Sequence, residues 1–200
     1  MTRPSTLTTR YTNVAIALHW TIAFLIIGNL VLGLQLDSFK GIDRFAMYQL
    51  HKSFGISVLL LTVVRIAWRL THRPPPYEAT LKAWERRAAT ATHSLFYIAM
   101  IAMPLTGWIM VSASKWNIPT MVFGVVPWPH IAPIHTADTA TRAQIDAVSN
   151  QTHELIGYAM IALIALHILG AIKHVVVDGD GTFARMIPTR FKADRRSPTA

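Results

Sequence analysis

The sequence contains no cysteine. Disulfides, iron–sulfur clusters, zinc–thiolate sites and thioether-attached haem are therefore all excluded. Charge is scarce as well: 14% of the residues are charged, whereas 52% are hydrophobic. That balance is too apolar for an ordinary soluble domain. At 200 residues the chain is also too short for more than one membrane domain, so residues 1–200 are expected to form one. No internal repeat or low-complexity run is present. What the sequence does hold is nine histidines and a net charge of +9. In a soluble protein that charge would suggest nucleic acid. Here the basic residues fall between long apolar segments, so membrane topology accounts for them and no nucleic-acid partner is expected.

A membrane-spanning helix needs about 20 apolar residues. No charge occurs between Arg10 and Asp37, which places a first span near residues 14–36. Its apolar core is longer than that of a secretory signal, so it reads as a retained helix. A second span near 48–70 carries Lys52 at its start and Arg65 and Arg69 toward its end, where long basic side chains reach the interface. The third span lies near 91–112, with Pro104 expected to kink it. The fourth lies near 152–176. Residues 71–90 read as a basic loop opened by Pro74, Pro75 and Pro76, and residues 37–47 as a short loop of mixed charge. The longest connection, 113–151, is rich in tryptophan and proline, as expected of a segment lying on the interface or capping the bundle. Placing both termini and the 71–90 loop on one side puts fourteen basic residues there and five on the other. The positive-inside rule makes the richer side cytoplasmic.

Ionisable groups inside a membrane are costly, and each is a functional candidate. His153 and His167 share helix four, fourteen residues apart. That interval is about 21 Å of helix and close to four whole turns, so both side chains share one face. One helix thus offers a metal ligand near each membrane surface. His51 matches His153 in depth, because both open helices at the outer side. His19 matches His167 toward the cytoplasm. The reading is an all-α bundle of four helices with two bis-histidine haem b sites stacked across the bilayer. Zinc or non-haem iron is disfavoured, since no carboxylate lies deep in any span.

Other residues follow from the same arithmetic. Gly55 and Gly157 each lie four residues after a ligand and could leave room for a flat macrocycle, although small residues also mark plain helix contacts. Arg65 follows His51 by fourteen residues and Arg69 by eighteen, so both face the inner site as candidates for its propionates. The rival role for these arginines is a positive-inside anchor. His174, seven residues beyond His167, is a candidate to protonate a quinone, with His93 as the alternative. His72, His130 and His135 fall in loops without an assigned role.

These motifs together resemble the bacterial cytochrome b561 family over about residues 10–190. The resemblance rests on Leu18-His19-Trp20, on His51-Lys52-Ser53-Phe54-Gly55-Ile56-Ser57 and on Val63-Val64-Arg65. It continues through Pro104-Leu105-Thr106-Gly107, His153-Glu154-Leu155-Ile156-Gly157-Tyr158, Leu166-His167 and Arg185-Met186-Ile187-Pro188. It implies a four-helix di-haem b protein of the bacterial inner membrane with His19, His51, His153 and His167 as ligands. Within the family the sequence is most similar to the superoxide oxidase type. That type takes electrons from periplasmic superoxide, through the outer and then the inner haem, to ubiquinone. Arg44 and Lys52 flank His51 and are candidates to attract the superoxide anion. Two alternatives stand beside this reading: a cytochrome subunit docking a dehydrogenase or hydrogenase as protein redox partner, and a haem-free transporter with a histidine proton relay.

Overall fold

The computed structural model describes residues 10–78 and 81–188. Five of the basic residues counted toward the cytoplasmic side, Arg3, Arg190, Lys192, Arg195 and Arg196, lie outside them. The described chain is mostly helical, with α1 at Asn13–Gln35, α2 at Gly41–Thr71 and α3 at Ala83–Ala113. A two-stranded antiparallel hairpin follows, β1 at Thr120–Val122 and β2 at Val126–Trp128. The short α4 (Ala132–His135) leads into α5 (Thr139–Val176), and a single 3-10 turn, Phe183–Met186, ends the described chain. Four of the helices, α1, α2, α3 and α5, are long and apolar enough to cross a membrane.

Three of these helices begin earlier than the apolar spans suggest. The expected 37–47 loop shrinks to a 3-10 turn, Leu36–Ser38, and α2 starts at Gly41. The last part of the expected 71–90 loop is the first two turns of α3, where Glu85 accepts the Lys82 N–H at 2.9 Å. α5 starts thirteen residues before the expected span, capped by Asp138, whose carboxylate accepts from the Ala140 and Thr141 N–H groups. A side chain that satisfies otherwise orphaned first-turn donors lets a helix begin in water, where hydropathy is silent. Pro74 to Pro76 follow the end of α2 directly, as a run unable to continue a helix should.

α1 packs along α2, α2 against α3, and α3 along α5. The buried apolar cluster is Ile22 and Ile26 from α1, Val58 from α2, Ala99 and Met100 from α3, and Met160 from α5. Each of these lies in sequence between the two polar levels of its helix, so the core is a layer across the middle of the bundle. The outward faces carry large apolar side chains: Phe24 is 70% exposed, Leu34 63% and Leu155 68%. Such a rim around a bundle is what lipid covers. Serines within the spans bond back to their own helix, Ser57 to Ser53 O at 2.9 Å and Ser112 to Trp108 O at 2.8 Å. That keeps hydroxyls off the apolar medium.

The 113–138 connection folds over one end of the bundle and is pinned by side chains from below. Gln49 donates to Pro119 O at 2.8 Å and accepts from Met121 N at 3.1 Å. Ser53 accepts from Phe123 N at 2.9 Å, and Ser112 from Ile131 N at 2.9 Å. Trp108 Nε1 donates to Pro129 O at 2.8 Å. The hairpin tip needs Gly124, whose φ of +72° is open to few L residues.

Candidate functional site

The bundle brings its histidines together at two levels. At the capped end, His51 of α2 and His153 of α5 lie with ring centres 6.1 Å apart and ring planes at 73°. At the other end, His19 of α1 and His167 of α5 lie 6.2 Å apart at 68°. Two imidazoles sharing one metal through bonds of about 2 Å, with ring radii of about 1.2 Å, have centres roughly 6 Å apart. Both pairs have that spacing. α5 packs broadly against α3, and it reaches α1 and α2 at these pairs and through Met160 in the buried core.

The capped level shows how a ring is aimed. His153 Nδ1 donates to the Met103 carbonyl at 3.0 Å and lies 3.1 Å from Thr106 Oγ1. A proton on Nδ1 leaves Nε2 free as the metal-binding atom, the usual arrangement around a ligating histidine. The ring enters α3 at Gly107, where a Cβ would stand 3.1 Å from His153 Cε1. His51 is treated the same way by α1. A Cβ on Gly33 would stand 3.1 Å from its Cε1 and 3.5 Å from Nδ1, and the Asn29 carbonyl of α1 lies toward the ring one turn before that glycine, without closing a hydrogen bond to Nδ1. In both helices the glycine lies four residues after the carbonyl. Gly33 is a site residue that the sequence reading does not name, and Thr106 and Gly107 enter it only within the resemblance motif, without a site role. Gly55 lies instead beside Asn29 Nδ2, at 3.8 Å from an added Cβ, and Gly157 beside the Met103 methyl at 3.3 Å.

The other level is polar in a different way. His93 of α3 joins it, with its ring centre 5.7 Å from that of His167. Arg65 is half-buried and donates from Nε to Tyr97 Oη at 3.2 Å, one turn along α3 from His93. Arg69 lies over the Tyr97 ring at 5.8 Å. Among the described residues no carboxylate lies within ion-pair distance of either arginine. Both line a cavity of about 520 Å³ with Arg10, Tyr11, Trp68 and Tyr97. Arg69 is exposed, but Arg65 is half-buried, and a half-buried guanidinium without a carboxylate calls for an anion, which haem propionates would supply. Imidazole pairs at axial spacing, glycine-lined ring seats and unpartnered arginines together fit haem.

His174 sits one level further out, with Nδ1 2.7 Å from Asp180 Oδ2 and 3.1 Å from Asp178 Oδ2. Burial alone would raise the Asp180 pKa, but hydrogen bonds from Thr182 and His174 outweigh it and hold the carboxyl below its ordinary range. Lys173 bridges Asp178 at 2.6 Å and Glu85 at 2.7 Å, tying α5 to α3. At the capped end, Arg44 pairs with Asp37 at 2.6 Å, so its charge is compensated locally. Lys52 is half-buried and has no carboxylate in ion-pair range among the described residues. Of the loop histidines, His72 stacks on Trp68 with ring centres 3.7 Å apart, and His130 on His135 at 4.5 Å.

Comparison with known proteins agrees with this arrangement. The family model described as prokaryotic cytochrome b561 matches residues 10–189. The chain is 29% identical to cytochrome b561 homolog 2 of Escherichia coli (strain K12), over 89% of this chain and 91% of that one. It is 28% identical to cytochrome b561 homolog 1 of the same organism, over 90% and 98%. It is 27% identical to a probable superoxide oxidase of Yersinia pestis, over 90% and 97%. Matched along nearly its whole described length, the chain belongs to the prokaryotic cytochrome b561 family, multi-pass membrane proteins that transfer electrons through haem b.

Proposed function

We propose that the protein is a di-haem superoxide:quinone oxidoreductase of the bacterial inner membrane, with both termini in the cytoplasm. The observation that supports the two-haem part is the repeat of one ring-to-ring spacing between histidines, 6.1 and 6.2 Å, at two levels of a single helix. His51 and His153 would hold the outer haem b, and His19 and His167 the inner one. Arg65 and Arg69 would pair with carboxylates of the inner group. Haem, when bound, supplies reversible one-electron iron chemistry. Family membership leaves no support for a haem-free transporter.

The chain's own residues frame the reaction at each face. At the outer face Lys52 adjoins the ligand His51 and presents an uncompensated positive charge to a small anion. Arg44 contributes less, because Asp37 balances it. Superoxide loses one electron to leave as dioxygen, a step that needs neither a general acid nor a general base. At the inner face, ubiquinone takes two electrons and two protons. Overall, two superoxide anions, one quinone and two protons yield two dioxygen molecules and one quinol. His174, held by Asp180, is the proton donor to the quinone oxygen. The likeness to a probable superoxide oxidase supports the choice of donor.

The test is to supply superoxide to the purified oxidised protein and follow haem absorbance, then add a soluble quinone. Reduction followed by reoxidation is expected. A protein that dithionite reduces but superoxide leaves oxidised rejects this donor. Lys52→Ala should slow the superoxide-driven phase by roughly tenfold at low salt and less at high salt. Equal rates at both ionic strengths would remove Lys52 from the outer site. His174→Gln should leave that phase intact and slow quinone reduction on the order of a hundredfold. An unchanged quinone rate would assign the proton to another group, His93 being the nearest candidate.

A further inference from the structure

We infer that the residues around the two histidine pairs fix the order of their redox potentials, with the outer haem lower and the inner haem higher, and that Arg65 is the chief tuning residue. This rests on the two-haem reading above and does not depend on superoxide as donor.

Ferric haem carries one more positive charge than ferrous haem. Dipoles that stabilise positive charge at the ligand rings favour the ferric state and lower the potential, while a nearby cation favours the ferrous state and raises it. The outer pair meets dipoles of the first kind. His153 donates to the Met103 carbonyl at 3.0 Å, and His51 faces the Asn29 carbonyl. Gly107 and Gly33, each four residues beyond its carbonyl, admit the rings to those positions. A hydrogen bond from Nδ1 to a carbonyl makes the imidazole a stronger donor to iron, which acts in the same direction.

The inner pair meets the reverse. Among the described residues neither His19 nor His167 has a main-chain carbonyl bonded to its ring. Arg65 stands at this level instead, its Nε 3.2 Å from the hydroxyl of Tyr97, which lies one turn along α3 from His93, whose ring centre is 5.7 Å from that of His167; Arg69 stands one turn further along α2. Arg65 is half-buried next to an apolar layer, where a charge is screened less than at a surface. Pairing with a propionate would cancel that carboxylate's charge, which also raises the potential. An electron entering at the outer pair therefore finds the inner pair favourable, whatever supplied it.

Redox titration of the purified di-haem protein, followed by haem absorbance, tests the order. The wild type should titrate in two one-electron steps. Arg65→Gln should lower the upper midpoint by the equivalent of about a tenfold change in the equilibrium, or about 59 mV, and leave the lower one in place. Arg65→Lys should restore most of the shift. Movement of the lower midpoint in Arg65→Gln would reverse the assignment, and no movement of either would remove Arg65 as a tuning residue. His167→Ala supplies a second check that survives poor loading of the arginine variant. Its one remaining haem should titrate at the lower wild-type midpoint, and a match to the upper midpoint would overturn the inference. A wild type holding a single haem would instead sink the two-haem reading on which this rests.

Discussion

His153→Ala and His167→Ala should each lose one haem and keep the other, although both residues lie on the same helix. The two side chains are fourteen residues apart, about 21 Å along α5. Between them lies the buried layer formed by Ile22, Ile26, Val58, Ala99, Met100 and Met160. No side chain belongs to both levels, and sites so far apart with no shared partner respond independently. Each variant should therefore retain roughly half of the wild-type haem per protein, measured as the pyridine haemochrome. His51→Ala should match His153→Ala in its remaining spectrum, and His19→Ala should match His167→Ala. The double variant His153→Ala/His167→Ala should contain none. His93→Ala keeps both haems, because its ring neighbours His167 without being one of the four ligands. Complete haem loss in either single variant would contradict two separate sites.

Gly107→Val should have almost as large an effect without touching a ligand. A Cβ at this position would stand 3.1 Å from His153 Cε1 and 3.4 Å from Nδ1, and the γ-carbons of valine reach further. The ring has nowhere to yield, with Nδ1 held by the Met103 carbonyl at 3.0 Å and Nε2 assigned to iron. Overpacking against a side chain fixed at both ends is destabilising. The expected outcome is selective loss of the outer haem, and Gly33→Val should reproduce it through His51. Gly157→Ala is the control. Its added Cβ would meet the terminal methyl of Met103 at 3.3 Å, and that flexible thioether chain has room to move. Full haem content in Gly107→Val, by the same haemochrome assay, would show that the ring is not seated as described.

The membrane helices are legible in the sequence because long charge-poor apolar runs are rare outside a bilayer, and α2 is the least clean of them, uncharged only between Lys52 and Arg65. Their early starts are not, because residues such as Ala83–Arg87 and Thr139–Ala143 are helical through capping and local bonds, which hydropathy does not register. The capping run is readable in principle: Asp138 followed by Thr139, Ala140 and Thr141 is an N-terminal signature. Histidine depth is legible from helical rise, since His51 and His153 open their spans at the same side and the structure sets their rings 6.1 Å apart.

Ring seating does not follow from a glycine one turn along the ligand's own helix, where Gly55 and Gly157 lie. The seat is on the neighbouring helix. The interval that joins His153 to His167 also joins His19 to Gly33 and His93 to Gly107, fourteen residues in each case. The same interval applied to glycines as well as to polar residues therefore marks both seats. The pairing of Arg44 with Asp37 is different in kind. Seven residues separate them across a 3-10 turn and the start of α2, and no periodicity predicts that contact.

The most direct measurement of the central claim is the haem-to-protein ratio of the purified wild type, taken together with its low-temperature EPR spectrum when oxidised. Two bis-histidine sites predict two haems b per chain, both low-spin, giving two resolved signals. One haem per chain, or a high-spin signal from an iron lacking its second imidazole, would contradict them.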